Sequence, residues 1–216
     1  MYKFENIKIT AEFETSVIFE KNPFDGVLAY LYAQELQKQG KYKEFEFKML
    51  ELPFVKKTNG IYHTSWAIIE DKKIFIENNV IIKAFPKKLY EQIGKNPNQN
   101  IDIQRGKFKG DTVNFERQMI EKISWYVCGD YTKIKELIEN FTHFGKKSSL
   151  DCGKIKRITM EKIEQDYSLM DKDGNVNRPL PTKDFSNLKI KDKERKAIMK
   201  PIYPYWDRFG REECYL

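Results

Sequence analysis

ISWYVCGDYTKIKELIENFTHFGKKSSLDCGKIKRITMEKI, residues 123–163, decides the fold. Its first six residues are apolar or aromatic and compact, as in a buried strand. Gly129 and Asp130 then turn the chain. Over 131–141 the apolar residues Ile134, Leu137, Ile138 and Phe141 recur at helical spacing. A loop, THFGKKSSLDCGK (142–154), separates that helix from a last strand, IKRITMEKI (155–163). Strand, helix, basic loop, strand is one half of a two-layer α+β sandwich.

The other half lies upstream. Residues 3–13 alternate, with Ile7, Ile9, Ala11 and Phe13 on one face, and read as a strand. Asn22 and Pro23 open a helix that Gly40 closes, with Val27, Leu28, Leu31, Tyr32 and Leu36 along one side. KEFEFKMLEL (43–52) and IYHTSWAII (61–69) are aromatic and β-branched and read as strands. KKIFIENNVII (72–82) reads as a hairpin turning at Asn78-Asn79. From 86 to 122 the chain is rich in Lys, Asn and Gln with Pro and Gly, the composition of an inserted loop. The expected fold is a ferredoxin-like (RRM-like) βαββαβ core, an antiparallel sheet backed by two helices. The expected division is one domain over 1–165, with an insertion at about 72–122. A loop-rich C-terminal extension over 166–216, bearing Pro179, Pro181, Pro201 and Pro204, packs on that domain or on a partner.

Bulk composition narrows the function. The 216 residues include 14% aromatics, enough for a packed core although only 40% are hydrophobic. Thirty-nine Lys and Arg against 32 Asp and Glu leave +7, which favours polyanions. A solvated lysine-rich surface would give the same balance. Cys128, Cys152 and Cys214 are far apart with no CxxC, which disfavours a disulfide framework or zinc knuckle and suits a reducing cytoplasm. No stretch has the ~18–20 apolar residues of a membrane span, and the N-terminus lacks an apolar signal core.

Two segments carry chemistry suited to phosphates. In the 142–154 loop, Gly145 and Gly153 bracket Lys146, Lys147, Ser148 and Ser149. Glycines admit positive φ and close approach of backbone amides, lysines neutralise phosphate, and serines donate hydrogen bonds. An ordinary solvated loop is the alternative. Asp151 in the same loop would repel phosphate. In QRGKFKGD (104–111), Arg105, Lys107 and Lys109 alternate with glycines, and Phe108 is placed to stack on a base or to tuck into the core. His143 and His63 are the two histidines, each either a general acid–base for RNA cleavage or a structural bond-maker. Carboxylates do not group as a two-metal nuclease requires.

The order of FDGVLAYLYAQEL (24–36), IYHTSWAII (61–69), RGKFKG (105–110), THFGKK (142–147), RPLP (178–181) and YPYW (203–206) resembles the RAMP proteins of CRISPR systems. More narrowly, it resembles the small RAMP subunit of type IV complexes. That resemblance implies a non-catalytic subunit gripping the 5′ handle of the guide RNA and capping the effector backbone. Its expected partners are guide RNA and the backbone and large subunits, with target DNA met only indirectly, no membrane and no cofactor. It matches Gly145, Lys146, Lys147 and Gly153 to the family's loop and departs from it at Leu150, Asp151 and Cys152. A RAMP-type endoribonuclease using His143 or His63, and a phage-encoded mimic of the subunit, remain the alternatives.

Overall fold

The computed structural model describes residues 2–19, 21–41, 50–71, 73–83, 111–205 and 208–216. Strand β1 (Phe4–Phe13) runs through the middle of a four-stranded sheet. It pairs antiparallel with β7 (Lys122–Asp130) on one side and β8 (Ile155–Lys162) on the other. The short strand β4 (Ile68–Ile69) completes the order β4-β7-β1-β8, also antiparallel. With helices α1 (Phe24–Lys38) and α2 (Tyr131–Ile138), this is the ferredoxin-like α+β plan expected.

Period-two alternation sorts the faces of the sheet. Register places Ile7 opposite Val127, Ile9 opposite Trp125 and Ala11 opposite Ile123. All six are buried in one core with Leu28 and Leu31 of α1 and Ile134 and Leu137 of α2. Trp125 is wholly enclosed, with ring centroids of Phe24 at 4.8 Å and Phe144 at 5.0 Å. Helix α2 starts on Asp130, whose carboxylate accepts from the Lys133 amide at 3.0 Å, a standard N-cap. The opposite face of the sheet is polar, and its cations are paired: Lys8 with Glu70 at 2.6 Å, and Arg157 and Lys122 with Glu12 at 2.8 Å and 3.3 Å.

Several expectations are corrected. Asn78 and Asn79 do not turn the chain; they lie mid-strand in β5 (Phe75–Lys83). That strand pairs along its full length with β6 (Asp111–Met119), so a two-stranded ribbon replaces the hairpin at 72–82 and part of the loop at 86–122. Nine cross-strand pairs outweigh the local turn preference of two asparagines. On one face of the ribbon Ile76, Val80 and Ile82 are 59%, 59% and 73% exposed. The 61–69 strand is split. Its start, β3 (Ile61–Tyr62), folds back on β2 (Lys57–Thr58) around Asn59-Gly60, both at positive φ, and only β4 joins the main sheet. Helix α2 stops at Ile138, three residues short of the reading. Most of the 43–52 strand lies outside the described residues.

The C-terminal segment is not loop alone. It builds a small sheet, ordered β10-β11-β9, from β9 (Leu180–Pro181), β10 (Lys196–Met199) and β11 (Glu212–Tyr215). A one-turn helix α3 (Thr182–Phe185) follows β9. Leu180, Phe185, Ile190 and Tyr215 pack there with Ile61 of β3.

A buried ionic clamp ties this segment to the sandwich. Arg178 and Asp25 are both fully buried and meet at 3.3 Å. Arg178 also donates to the carbonyls of Tyr62, Thr64 and Pro201 and to the Thr64 hydroxyl at 2.9 Å. The Tyr205 hydroxyl donates to Asp25 at 2.5 Å, and its ring closes over Gly26. Tyr203 stacks on Tyr62 at 6.1 Å. The terminal tyrosines therefore pack back on the body. Removing one member leaves the other charge buried and unpaired. R178A is expected to lose about 3–5 kcal/mol in urea unfolding. A loss under about 1 kcal/mol would show that the pair is not holding the fold.

Candidate nucleic-acid interface

The loop joining α2 to β8 stands on a hydrogen-bonded neck. Phe144 N donates to Gly153 O at 2.9 Å, Ile155 N donates to Thr142 O at 2.9 Å, and His143 bridges Lys154. Phe144 and Cys152 are buried and anchor the two sides. A strap, residues 14–19 directly after β1, clasps the neck. Its Ser16 and Ile18 carbonyls accept from the amides of Gly153 (2.9 Å) and Lys146 (3.3 Å). Thr15 Oγ1 accepts from Lys154 N at 2.9 Å and donates to Asp151 O at 2.5 Å.

Beyond the neck, residues 145–151 are exposed. Lys146, Lys147, Ser148 and Ser149 are brought together on one projecting turn, with Ser148–Leu150 as a single 3-10 turn. Gly145 has φ +91, and a Cβ there would stand 2.5 Å from Ile18 O. Gly153 has φ +67, and a Cβ would stand 1.9 Å from Phe144 O. The Gly153 amide is committed to Ser16, so this glycine shapes the neck. Lys147 (φ 62) and Asp151 (φ 57) also lie in the left-handed region, at a cost of about 1–2 kcal/mol each. Turns of this kind aim successive N–H groups to one side, an arrangement that receives anions. Among the described residues, no backbone carbonyl accepts from the amides of Lys147, Ser148 or Ser149.

His143 braces the loop. Its ring nitrogens face Thr142 Oγ1 at 3.1 Å and Asp151 Oδ1 at 3.3 Å. Asp151 is thereby held at the foot of the turn beside an imidazole. His63 lies elsewhere, on the second strand region beside β7, and is buried. Its Nδ1 contacts Asp166 Oδ2 at 2.7 Å and its Nε2 contacts Thr58 Oγ1 at 2.9 Å. The two histidines thus belong to separate hydrogen-bonded arrangements. Arg105, Lys107, Phe108 and Lys109 lie outside the described residues. Among the described residues no three His, Cys, Asp or Glu side chains converge as a metal site would need. No described helix is long and apolar enough to cross a membrane. All three cysteines are buried and free, and burial pushes the thiols of Cys128 and Cys214 up to about 11.

A groove that the sequence reading missed opens beside the basic turn. Ile18 and Phe19 of the strap form one wall, and Asn78, Val80, Asn114 and Glu116 of the ribbon the other, around about 660 Å³. Phe19 also meets the ring of Phe144 at 6.4 Å, which links groove and loop. The available signal was asparagine at positions 78, 79 and 114 of otherwise β-forming segments, where asparagine is disfavoured.

A ferredoxin-like sandwich with a strapped, basic turn at its edge strand defines the class of protein. The family model for CRISPR type IV associated protein Csf3 matches residues 5–215, and the chain belongs to that family. It is a subunit of a type IV CRISPR complex, which implies other effector subunits as its neighbours. No curated protein matches the chain.

Two stability measurements check the geometry. G153A forces a Cβ into the Phe144 carbonyl and should destabilise by at least about 2 kcal/mol; an unchanged urea midpoint would refute the tight neck. Burial alone would raise the Asp166 carboxyl, but hydrogen bonds from His63 and Ser168 outweigh it and hold it at about 2. A depressed carboxylate contributes stability that is present above its unfolded value near 4 and lost as pH falls toward 2. Wild-type protein should lose about 2 kcal/mol across that interval, and D166N should lack that step.

Proposed function

We propose that this subunit holds the 5′ handle of the guide RNA and caps one end of the effector backbone. The exposed turn at 145–149 carries the reading. Two lysines and two serines project together from a clasped neck, with Lys147 held at left-handed φ and no described carbonyl accepting from the amides of Lys147, Ser148 or Ser149, which is how a preorganised phosphate cradle is built. Affinity comes from phosphate neutralisation by Lys146 and Lys147, with Arg105, Lys107 and Lys109 assisting. Splayed bases enter the groove between strap and ribbon, where Phe19 offers an apolar surface and Asn78 and Asn114 offer paired donors and acceptors. His143 serves as a brace and not as a catalytic base.

The open face of the sheet, which RRM-like modules use for RNA, is a poor competitor here. Its cations are already matched by Glu70 and Glu12. Phosphate would have to displace those pairs.

The double variant K146E/K147E should lose guide RNA on purification with the complex while its urea unfolding stays unchanged. In a titration against handle RNA, K146Q/K147Q should lower the slope of log K against log salt by about 1.4, from two lost single-strand contacts. Wild-type RNA content and slope in these variants would remove the loop from the interface. H143A should retain RNA, and metal-free cutting of repeat RNA abolished by H143A would overturn the brace assignment.

A further inference from the structure

We infer that the open edge of β10 is a docking rail for an extended, acidic segment of a neighbouring protein subunit, which pairs with it as a further strand. The inference stands apart from the RNA-handle reading. Strand β10 is the end strand of its sheet, and among the described residues only β11 pairs with it.

Register decides which backbone groups are open. Leu216 N donates to Arg195 O at 3.0 Å, one step beyond the pair of Lys196 with Tyr215. Hydrogen-bonded pairs alternate along an antiparallel ladder. Ala197 and Met199 therefore bond to β11, while Lys196 and Ile198 turn their N–H and C=O groups outward. Among the described residues no backbone group meets them there. Such an edge is commonly blunted by proline or by charge. Here Ile198 is 65% exposed, and Lys196 is turned to its own sheet, 3.4 Å from Glu213 and 5.7 Å from the ring of Tyr215.

Charge selects the partner. KIKDKERK (189–196) leads into β10 with five cations against Asp192 and Glu194, and all of 191–196 is exposed. Lys193 spends its ammonium on the neutral Ser186 carbonyl at 2.9 Å, and among the described residues neither it nor Arg195 pairs with a carboxylate. The acids of the sheet itself, Glu212 and Glu213, are held by Lys183 and Lys196. A polypeptide strand offers N–H and C=O groups in alternation, and its Asp or Glu side chains would reach the cations. A nucleic-acid phosphate only accepts, so it would leave the outward carbonyls unmet and lie against an apolar Ile198. Membership of a type IV CRISPR complex implies neighbouring protein subunits to supply such a strand.

Hydrogen exchange read at single amides, in the full-length protein alone and in the co-purified complex, tests the rail. The Lys196 and Ile198 amides should exchange rapidly in the isolated protein and at least about 10-fold more slowly in the complex, with Ala197 and Met199 slow in both. Unchanged rates at Lys196 and Ile198 in the complex would overturn the proposal. Slowing in the isolated protein as its concentration rises, with a dimer in sedimentation, would assign the edge to a second copy. Slowing on addition of handle RNA alone would assign it to nucleic acid, and either result overturns the proposal. I198P removes an outward N–H and no bond to β11, so it should leave the urea midpoint unchanged and lower recovery of partner subunits about 5-fold or more. K193E/R195E should lower recovery by a similar factor. Wild-type recovery in I198P would overturn the strand pairing, and wild-type recovery in K193E/R195E would overturn the acidic partner.

Discussion

The contact between Arg178 and Asp25 holds two hydrophobic clusters in register. Asp25 sits in the first turn of α1, where a carboxylate also suits the positive end of the helix. Arg178 comes from the chain just before β9 and reaches the carbonyls of the irregular second strand region and of Pro201. One guanidinium therefore satisfies backbone groups from two segments far apart in the chain and meets a carboxylate from a third. Burying it this deep is tolerable only because those acceptors and Asp25 surround it.

This contact also explains the motifs by which the family resemblance was legible. FDGV supplies Phe24, Asp25 and Gly26; IYHTS supplies Tyr62 and Thr64; RPLP supplies Arg178; YPYW supplies Tyr203 and Tyr205. They are scattered over 180 residues of separation between Asp25 and Tyr205 and meet at one point. Only THFGKK among the described motifs belongs to the proposed RNA contact. The family signature is thus mostly the signature of a fold closure, and membership in the family follows from it more directly than RNA binding does.

The core strands were readable because each buries one face, and alternation in β1 and the apolar run in β7 state that plainly. The ribbon was not readable, because its strands are long and two-sided and Asn78-Asn79 mimics a turn. The split of 61–69 was hidden because Ile61 and Tyr62 are as apolar as a sheet strand, but Ile61 serves the second cluster while Tyr62 serves the main core. Glycine and lysine marked 145–149 as a turn, which the structure shows as an exposed projection, while the Gly153 amide is spent on Ser16. The groove is assembled from distant segments and leaves only faint local traces, such as mid-strand asparagines.

The β5–β6 ribbon has a cost for the protein when it is alone. Among the described residues β5 pairs only with β6, and its outer rim carries backbone groups without a neighbouring strand beside Ile76, Val80 and Ile82. A bare rim flanked by oily side chains is a template for sticking to a copy of itself. In a subunit of a type IV CRISPR complex, an apolar ribbon face of this kind suits burial against a neighbouring subunit.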